Sequence, residues 1–501
     1  MRTSQRTSLV AVLATLSVLA LPLVSTASAA PPVARDTAAA PTHHGYTRAQ
    51  AAAILKKVEA ALTPRHTAPR KLGDPLPRQD LTLLLRQAQQ ARSKMSARGQ
   101  SIIDNTSSRP VPDGVGCADY TPFLQAAWKA AASAHFCVHY RAGANPAAGD
   151  ASATQAQTTL NTMEYVYSRE VAGMGYRAPL LDSDGKYDVF LDQLGDQGYY
   201  GFCTTDGTAA TGTAWCGLDN DFAVGEFGAP PLNSLRVTAA HEFFHAVQFA
   251  YDANDSTWFL EGTAVWMEDQ VYPTINDYLQ YLPVSQIVRP RQSSDSETGL
   301  EVYGTVTFWK FLSEHFKDVS IIRRVWESAA ASAGYRNGIQ AVAAVLAARH
   351  TSLAAEFARY AVWNLLPPGT YADRALFPAP GYWASATLTR GARDTGNASV
   401  RVNHLSSAPL LLRPGARLPL RTKLRVSVDG PNRGNGTQAR LLVRLRSGRA
   451  VTYVITLNAA GNGTKVVGFN PRLVRSAVVS MADGSSVTDN LLFTVRARIS
   501  Y

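Results

Sequence analysis

Residues 236–269, RVTAAHEFFHAVQFAYDANDSTWFLEGTAVWMED, set two histidines four apart in one apolar run and a glutamate inside the next. An α-helix turns once in about 3.6 residues, so His241 and His245 project from one face. Two imidazoles so placed can hold one zinc ion at bonds of about 2.0–2.1 Å. Glu242 borders the same face, where it can take a proton from an attacking water. A polar turn, YDANDS, separates the two runs, with Asp255 or Ser256 as the cap of the second helix. Glu261 then falls early in a strongly apolar helix, where an unpaired carboxylate costs several kcal/mol. Coordination removes that cost, and a catalytic zinc takes three protein ligands. The expected set is therefore His241, His245 and Glu261, with Glu242 as general base.

A three-histidine site is excluded, because Gln248 and Tyr251 stand where that pattern requires Gly and His. HEFFH followed by WFLEGTA resembles the gluzincin zinc metallopeptidases. The longer stretch from HEFFHAVQFAYD to YGTVTFWKFLSEHF is similar to a family of secreted bacterial metalloprotease-like proteins. That likeness runs from roughly residue 109 to 320 and is looser toward the C-terminus. It implies an α+β fold, with a zincin-like domain (small sheet, active-site helix and helical subdomain) ahead of a β-sandwich. It also implies zinc on His241, His245 and Glu261, with Glu242 as catalytic base.

The chain departs from some gluzincins at Val265, where they carry an Asp that orients the first histidine. Glu268, two turns beyond Glu261, or a backbone carbonyl is expected in that part; a surface salt bridge explains Glu268 as well. Tyr303, in VYGTVTFWKF, is the candidate donor to a tetrahedral oxyanion, with a packed core tyrosine as the alternative. Gln248, one turn past His245, is a candidate for the cleft wall.

The first thirty residues read as an export signal: Arg2 and Arg6, then an apolar run, then small residues with cleavage near Ala29 or Ala30. No later run is long enough to span a membrane. Four cysteines in an exported chain suggest two disulfides. Of three connectivities, the near-neighbour pairing Cys117–Cys137 and Cys203–Cys216 is preferred. Residues 31–109 are expected to be a helical segment, with helices at 47–62 and 80–104, and either a pro-segment or a docking arm. A metallopeptidase domain is expected over 110–368. It should hold strands at 134–140 and 187–194, a helix at 154–176, a hairpin within 199–222, and a helix capped by Ser234. Further helices are expected near 256–270, 303–316, 319–331 and 336–366. An edge strand within 212–222 is the expected seat of an extended peptide.

Residues 371–501 alternate in period two, as in RLLVRLRSGRAVTYVITL and FTVRARISY, and are expected to form the β-sandwich. This region holds 19 Lys and Arg against 5 Asp, a net +14, more than the +11 of the whole chain. Such a surface favours anionic wall polymers or acidic glycans, although a solvated face explains the charge too. No nucleic-acid-binding motif is present.

Two further clusters are weighed. Asp182, Asp184 and Asp188 around Gly185 suit Ca²⁺, or an Asp-Gly turn entering a strand. His135 and His139 share a strand face and are expected to be packed or half-exposed. The expectation is a secreted zinc endopeptidase acting on proteins or peptides. The alternative is a secreted protein that binds a surface or anionic polymer, with a structural or vestigial metal site. A zinc hydrolase of other amides or esters is the third.

Overall fold

The computed structural model describes residues 45–501 except 64–69, 72–80, 111–115, 119–127, 298 and 334–335. The expected export signal, the rest of residues 31–44 and most of residues 63–79, between the first two expected helices, lie outside the described residues. The fold is mixed α+β, with a β-rich C-terminal region, and divides into two compact units, Met1–Asn254 and Asp255–Tyr501. No helix among the described residues is long and apolar enough to cross a membrane.

The first unit begins with α1 (Arg48–Ala61), closed at its start by a reciprocal Thr47–Gln50 capping box. The helix expected at 80–104 is two helices, α2 (Thr82–Ala91) and α3 (Ala97–Ser107). A 3₁₀ turn at Arg92–Lys94 breaks it, and Ser96 caps the second piece. The strands are β1 (Trp128–Ala132), β2 (Phe136–Ala142), β3 (Asp150–Ala151), β4 (Tyr187–Asp192), β5 (Gly201–Thr205) and β6 (Ala214–Asp219). They form one sheet in the order β1-β2-β4-β6-β5, with β3 on β2. Strands β2, β4 and β6 are parallel. β4 and β6 are buried throughout, as parallel strands covered on both faces must be.

One cover is α4 (Ala153–Tyr167), continued by a π turn at Ser168–Gly173, together with α6 (Pro231–Phe249); the short α5 (Val224–Phe227) precedes α6. Phe243 of α6 packs against Phe136 and Tyr187 on that face. The other cover is α1–α3, whose apolar residues share a core with Trp128, Phe190, Phe202 and Trp215. Both disulfides take the near-neighbour pairing, Cys117–Cys137 and Cys203–Cys216. The second joins residues directly opposite in the β5–β6 hairpin.

Two expectations fail here for local reasons. Ser234 does not cap α6: the helix starts at Pro231, whose missing N–H costs nothing at a first helical position, and Ser234 lies buried within it. Residues 212–222 supply no edge strand either, since β6 is paired on both sides and the edge is β5.

The second unit contains α7 (Thr257–Val271), α8 (Glu301–Gly304), α9 (Val306–Phe316), α10 (Ser320–Ala329), α11 (Gly338–Ala347) and α12 (Leu353–Trp363). The expected 336–366 helix is split by a turn in which His350 takes a positive φ and Ser352 caps anew. Strands β7 (Ala384–Leu388), β8 (Ala398–Val402), β9 (Ser406–Pro414), β10 (Lys423–Asp429), β11 (Thr437–Leu445), β12 (Ala450–Ile455), β13 (Asn462–Gly468), β14 (Val474–Asp483) and β15 (Leu491–Ser500) follow. They make two sheets, β13-β10-β15-β8 and β12-β11-β14-β9-β7, that share one hydrophobic core. The unit boundary differs from the one that composition suggests near residue 370. α12 explains why: Val362 and Leu365 pack on Leu411, Leu442 and Val478 of the five-stranded sheet.

Candidate metal centre

α6 presents the histidine pair. His241 and Glu242 are each 3% exposed and His245 is 0%. The two Nε2 atoms are 3.1 Å apart, with the rings inclined at 79°. Two nitrogens at about 2.05 Å from one tetrahedral ion stand roughly 3.3 Å apart, so the pair is spaced for a shared cation.

His245 is steadied from behind. Its Nδ1 lies 2.7 Å from Oε1 of Gln248. An amide oxygen can only accept, so Nδ1 carries the proton and Nε2 keeps its lone pair for a metal. Gln248 is fully buried. Its place behind the imidazole replaces the expected place in a cleft wall.

Glu261, on the second turn of α7, is 2% exposed. His241, His245 and Glu261 each offer one ligand atom, and these atoms all lie within 4.8 Å of one another. Ser256 precedes α7 without a side-chain cap hydrogen bond, and its N–H donates to Asp255 Oδ1 at 2.6 Å.

Glu242 is engaged by a residue that sequence reasoning did not single out. The Thr82 hydroxyl donates to Glu242 Oε2 at 3.2 Å and accepts from the Cys203 N–H at 2.8 Å. Gly201 lets β5 run close beside this base, since a Cβ there would stand 3.0 Å from Glu242 Cγ. α2 continues along β5. Gln89 donates to the Thr205 carbonyl at 3.0 Å, and Arg86 donates to Thr205 Oγ1 at 2.7 Å and to the Gly207 carbonyl at 2.6 Å. The outward N–H of Cys203 and C=O of Thr205 are thus taken by side chains of α2.

Glu170 is the second residue missed. It sits in the π turn after α4 and is 0% exposed, and neither carboxylate oxygen accepts a hydrogen bond from the described residues. Burial pushes its pKa well above the usual carboxylate range, and His241 and His245 pull it the other way. π turns inside helices recur at functional sites.

The remaining candidates divide between structure and packing. Glu268 is buried on α7, which removes the surface salt bridge as its explanation; Val265, three residues earlier, is fully buried. Tyr303 lies buried at the start of α8, stacked on Tyr281 at 4.9 Å. Asp182 and Asp188 both receive Nη1 of Arg109, whose Nε donates to Asp206 at 2.8 Å. That guanidinium stands where the calcium reading puts a cation, and Asp184 instead accepts from the Lys186 N–H at 2.9 Å. His139 is buried, 3.0 Å from Asp188 Oδ1. His135 is half-exposed against Glu164. Cys137, near His139 and Asp188, has its sulfur in a disulfide. Asp219, grouped with Asp221 and Glu226, accepts from the backbone N–H groups of Gly195 and Phe222 and so ties two loops together.

A model for a family of unknown function, DUF6055, matches residues 118–365, a span that includes α6 and α7. None of the curated proteins matches the chain. Among solved structures, a family GH115 4-O-methyl-alpha-glucuronidase with specificity for decorated arabinogalactans aligns at 9% identity and a TM-score of 0.15. The alignment covers 53% of this chain and 41% of that one. So low a score carries no argument about fold or activity.

Proposed function

We propose that the protein is a secreted zinc-dependent endopeptidase of the gluzincin type, with a zincin-like domain, held closed by its own N-terminal helical segment. The observation that carries this reading is the meeting of two imidazole nitrogens and one carboxylate, all buried, with Glu242 adjacent on the same helix. Two histidines and one carboxylate suit zinc and leave a fourth position open. Zinc held there would polarise a scissile carbonyl and acidify water. Glu242 takes a proton from the attacking water and returns it to the leaving amine. Gln248 holds the His245 tautomer. Tyr303 is the proposed donor to the oxyanion, and Glu268 the proposed outer carboxylate.

Residues 31–109 fit a pro-segment better than a docking arm. Thr82 occupies the base, and Gln89 and Thr82 occupy the strand edge that an extended substrate would need. Displacing α2 would free both and would also uncover the apolar sheet face of Phe190, Phe202 and Trp215 that it packs on. The reading as a binding protein with a structural metal is weaker, since a structural site has no use for an acid–base carboxylate beside its ligands.

The test measures zinc per chain, then casein and peptide-library cleavage with and without chelator, before and after limited proteolysis, beside Glu242→Gln. One zinc per chain, chelator-sensitive cleavage that rises on loss of the segment, and an inert Glu242→Gln are expected. Bound zinc without hydrolysis of any peptide, with the segment present or removed, would overturn the reading.

A further inference from the structure

The five-stranded sheet of the second unit borders a cavity of about 470 Å³ rimmed by Arg374, Arg413, Arg444, Arg449 and Arg475, with no acidic residue in its lining. Three of these come from neighbouring strands: Arg413 from β9, Arg475 from β14 and Arg444 from β11. Ser476 on the central strand pairs in register with Arg444, so a hydroxyl stands beside that guanidinium. Arg449 projects from the tight turn between β11 and β12, and Arg374 from a 3₁₀ turn.

Arg444 is fixed in place. Its Nη1 donates to Tyr382 Oη at 2.9 Å and its Nη2 to the Leu365 carbonyl. The other four have no ion-pair partner among the described residues. Elsewhere in the region acids are shared out: Arg496 and Arg498 both hold Asp394. Asp373, beside Arg374 in sequence, is taken instead by Lys310 at 3.2 Å and Tyr278 at 2.9 Å. Like charges around one cavity repel, and a bound anion relieves that repulsion.

We propose that this cavity is a binding site for the oxyanion groups of an anionic polysaccharide, phosphate or carboxylate. Guanidinium forks match both groups with paired hydrogen bonds, which a surface of lysines would not. The volume suits one or two monomer units. The site stands independently of the metal centre, and it turns the diffuse +14 of this region into a place.

The experiment titrates the full-length chain with tripolyphosphate and, separately, with an oligogalacturonate at about 0.15 M salt, where exposed charges are largely screened. Both probes are expected to bind, and the tighter one identifies the preferred group. Arg413→Gln with Arg449→Gln should weaken binding about tenfold or more. A control pair outside the cavity, Arg417→Gln with Arg425→Gln, removes the same charge and should change affinity by less than about twofold. Arg449→Lys should fall between, keeping charge without the fork. The proposal is wrong if wild-type protein binds neither probe, or if both double variants lose affinity alike.

Discussion

The acids around Arg109 and the acid beside α6, all in the first unit, are opposites. Around Arg109 the acids are matched to hydrogen-bonding partners: Asp182, Asp188 and Asp206 share its guanidinium, and His139 lies against the other oxygen of Asp188. Beside α6 they are not: Glu170 is enclosed with both oxygens unpaired, within electrostatic reach of His241 and His245. A cluster whose acids are all hydrogen-bonded to one cation holds a fold together. A buried acid without such partners among the described residues carries a cost that a divalent cation at the histidine pair would offset.

The strongest way to break the contrast is at the base. Glu242→Gln should lower peptide hydrolysis by about 10²–10⁴-fold while zinc content stays at one per chain. Loss of zinc together with activity would mean that Glu242 holds the metal instead. Next is the matched cluster. Arg109→Met leaves three acids without their cation, two of them buried, and should destabilise the fold by about 3–5 kcal/mol in urea, with zinc affinity unchanged in the folded fraction. Third comes the unmatched acid. Glu170→Gln should weaken zinc binding about 10–100-fold, as losing an outer carboxylate does, while the zinc-free variant melts no lower than wild type. A structural role for Glu170 would reverse that pattern, lowering the melting temperature and sparing zinc affinity.

The sequence made part of this legible. The histidine pair and Glu242 follow from helix geometry alone, and the alternation of Phe493, Val495, Ala497 and Ile499 is realised as the buried face of β15. Glu170 had a signal that went unread. Ala156, Leu160, Met163 and Val166 mark a buried helical stripe, and Glu170 continues it as a charge where an apolar residue belongs. Thr82 had none, because its partners Cys203 and Glu242 lie 121 and 160 residues away. β1, WKAAA, was invisible for another reason. Alanine is a poor strand former, and this segment is a strand because it pairs along its whole length with β2. Ser234 failed because two local rules competed, and Pro231 at the first helical position won over a later serine.

A third arrangement, in the second unit, lies between the matched and unmatched clusters and can be titrated. His404 places Nε2 3.0 Å from Asp295 and Nδ1 2.6 Å from Asp489. Burial alone would lower its pKa, but the two carboxylates override that and raise it to about 9. A raised histidine pKa means that folding binds a proton more tightly than the unfolded chain does. The stabilisation is complete below the unfolded value near 6.5 and is lost as pH rises through about 9. Allowing for the partial exposure of the pair, the loss should be on the order of 2 kcal/mol. Urea unfolding of wild type and His404→Gln at pH 6 and pH 9.5 measures it. The two proteins should differ most at pH 6 and converge at pH 9.5. A gap that stays constant with pH would mean that His404 contributes by packing, with its charge playing no part.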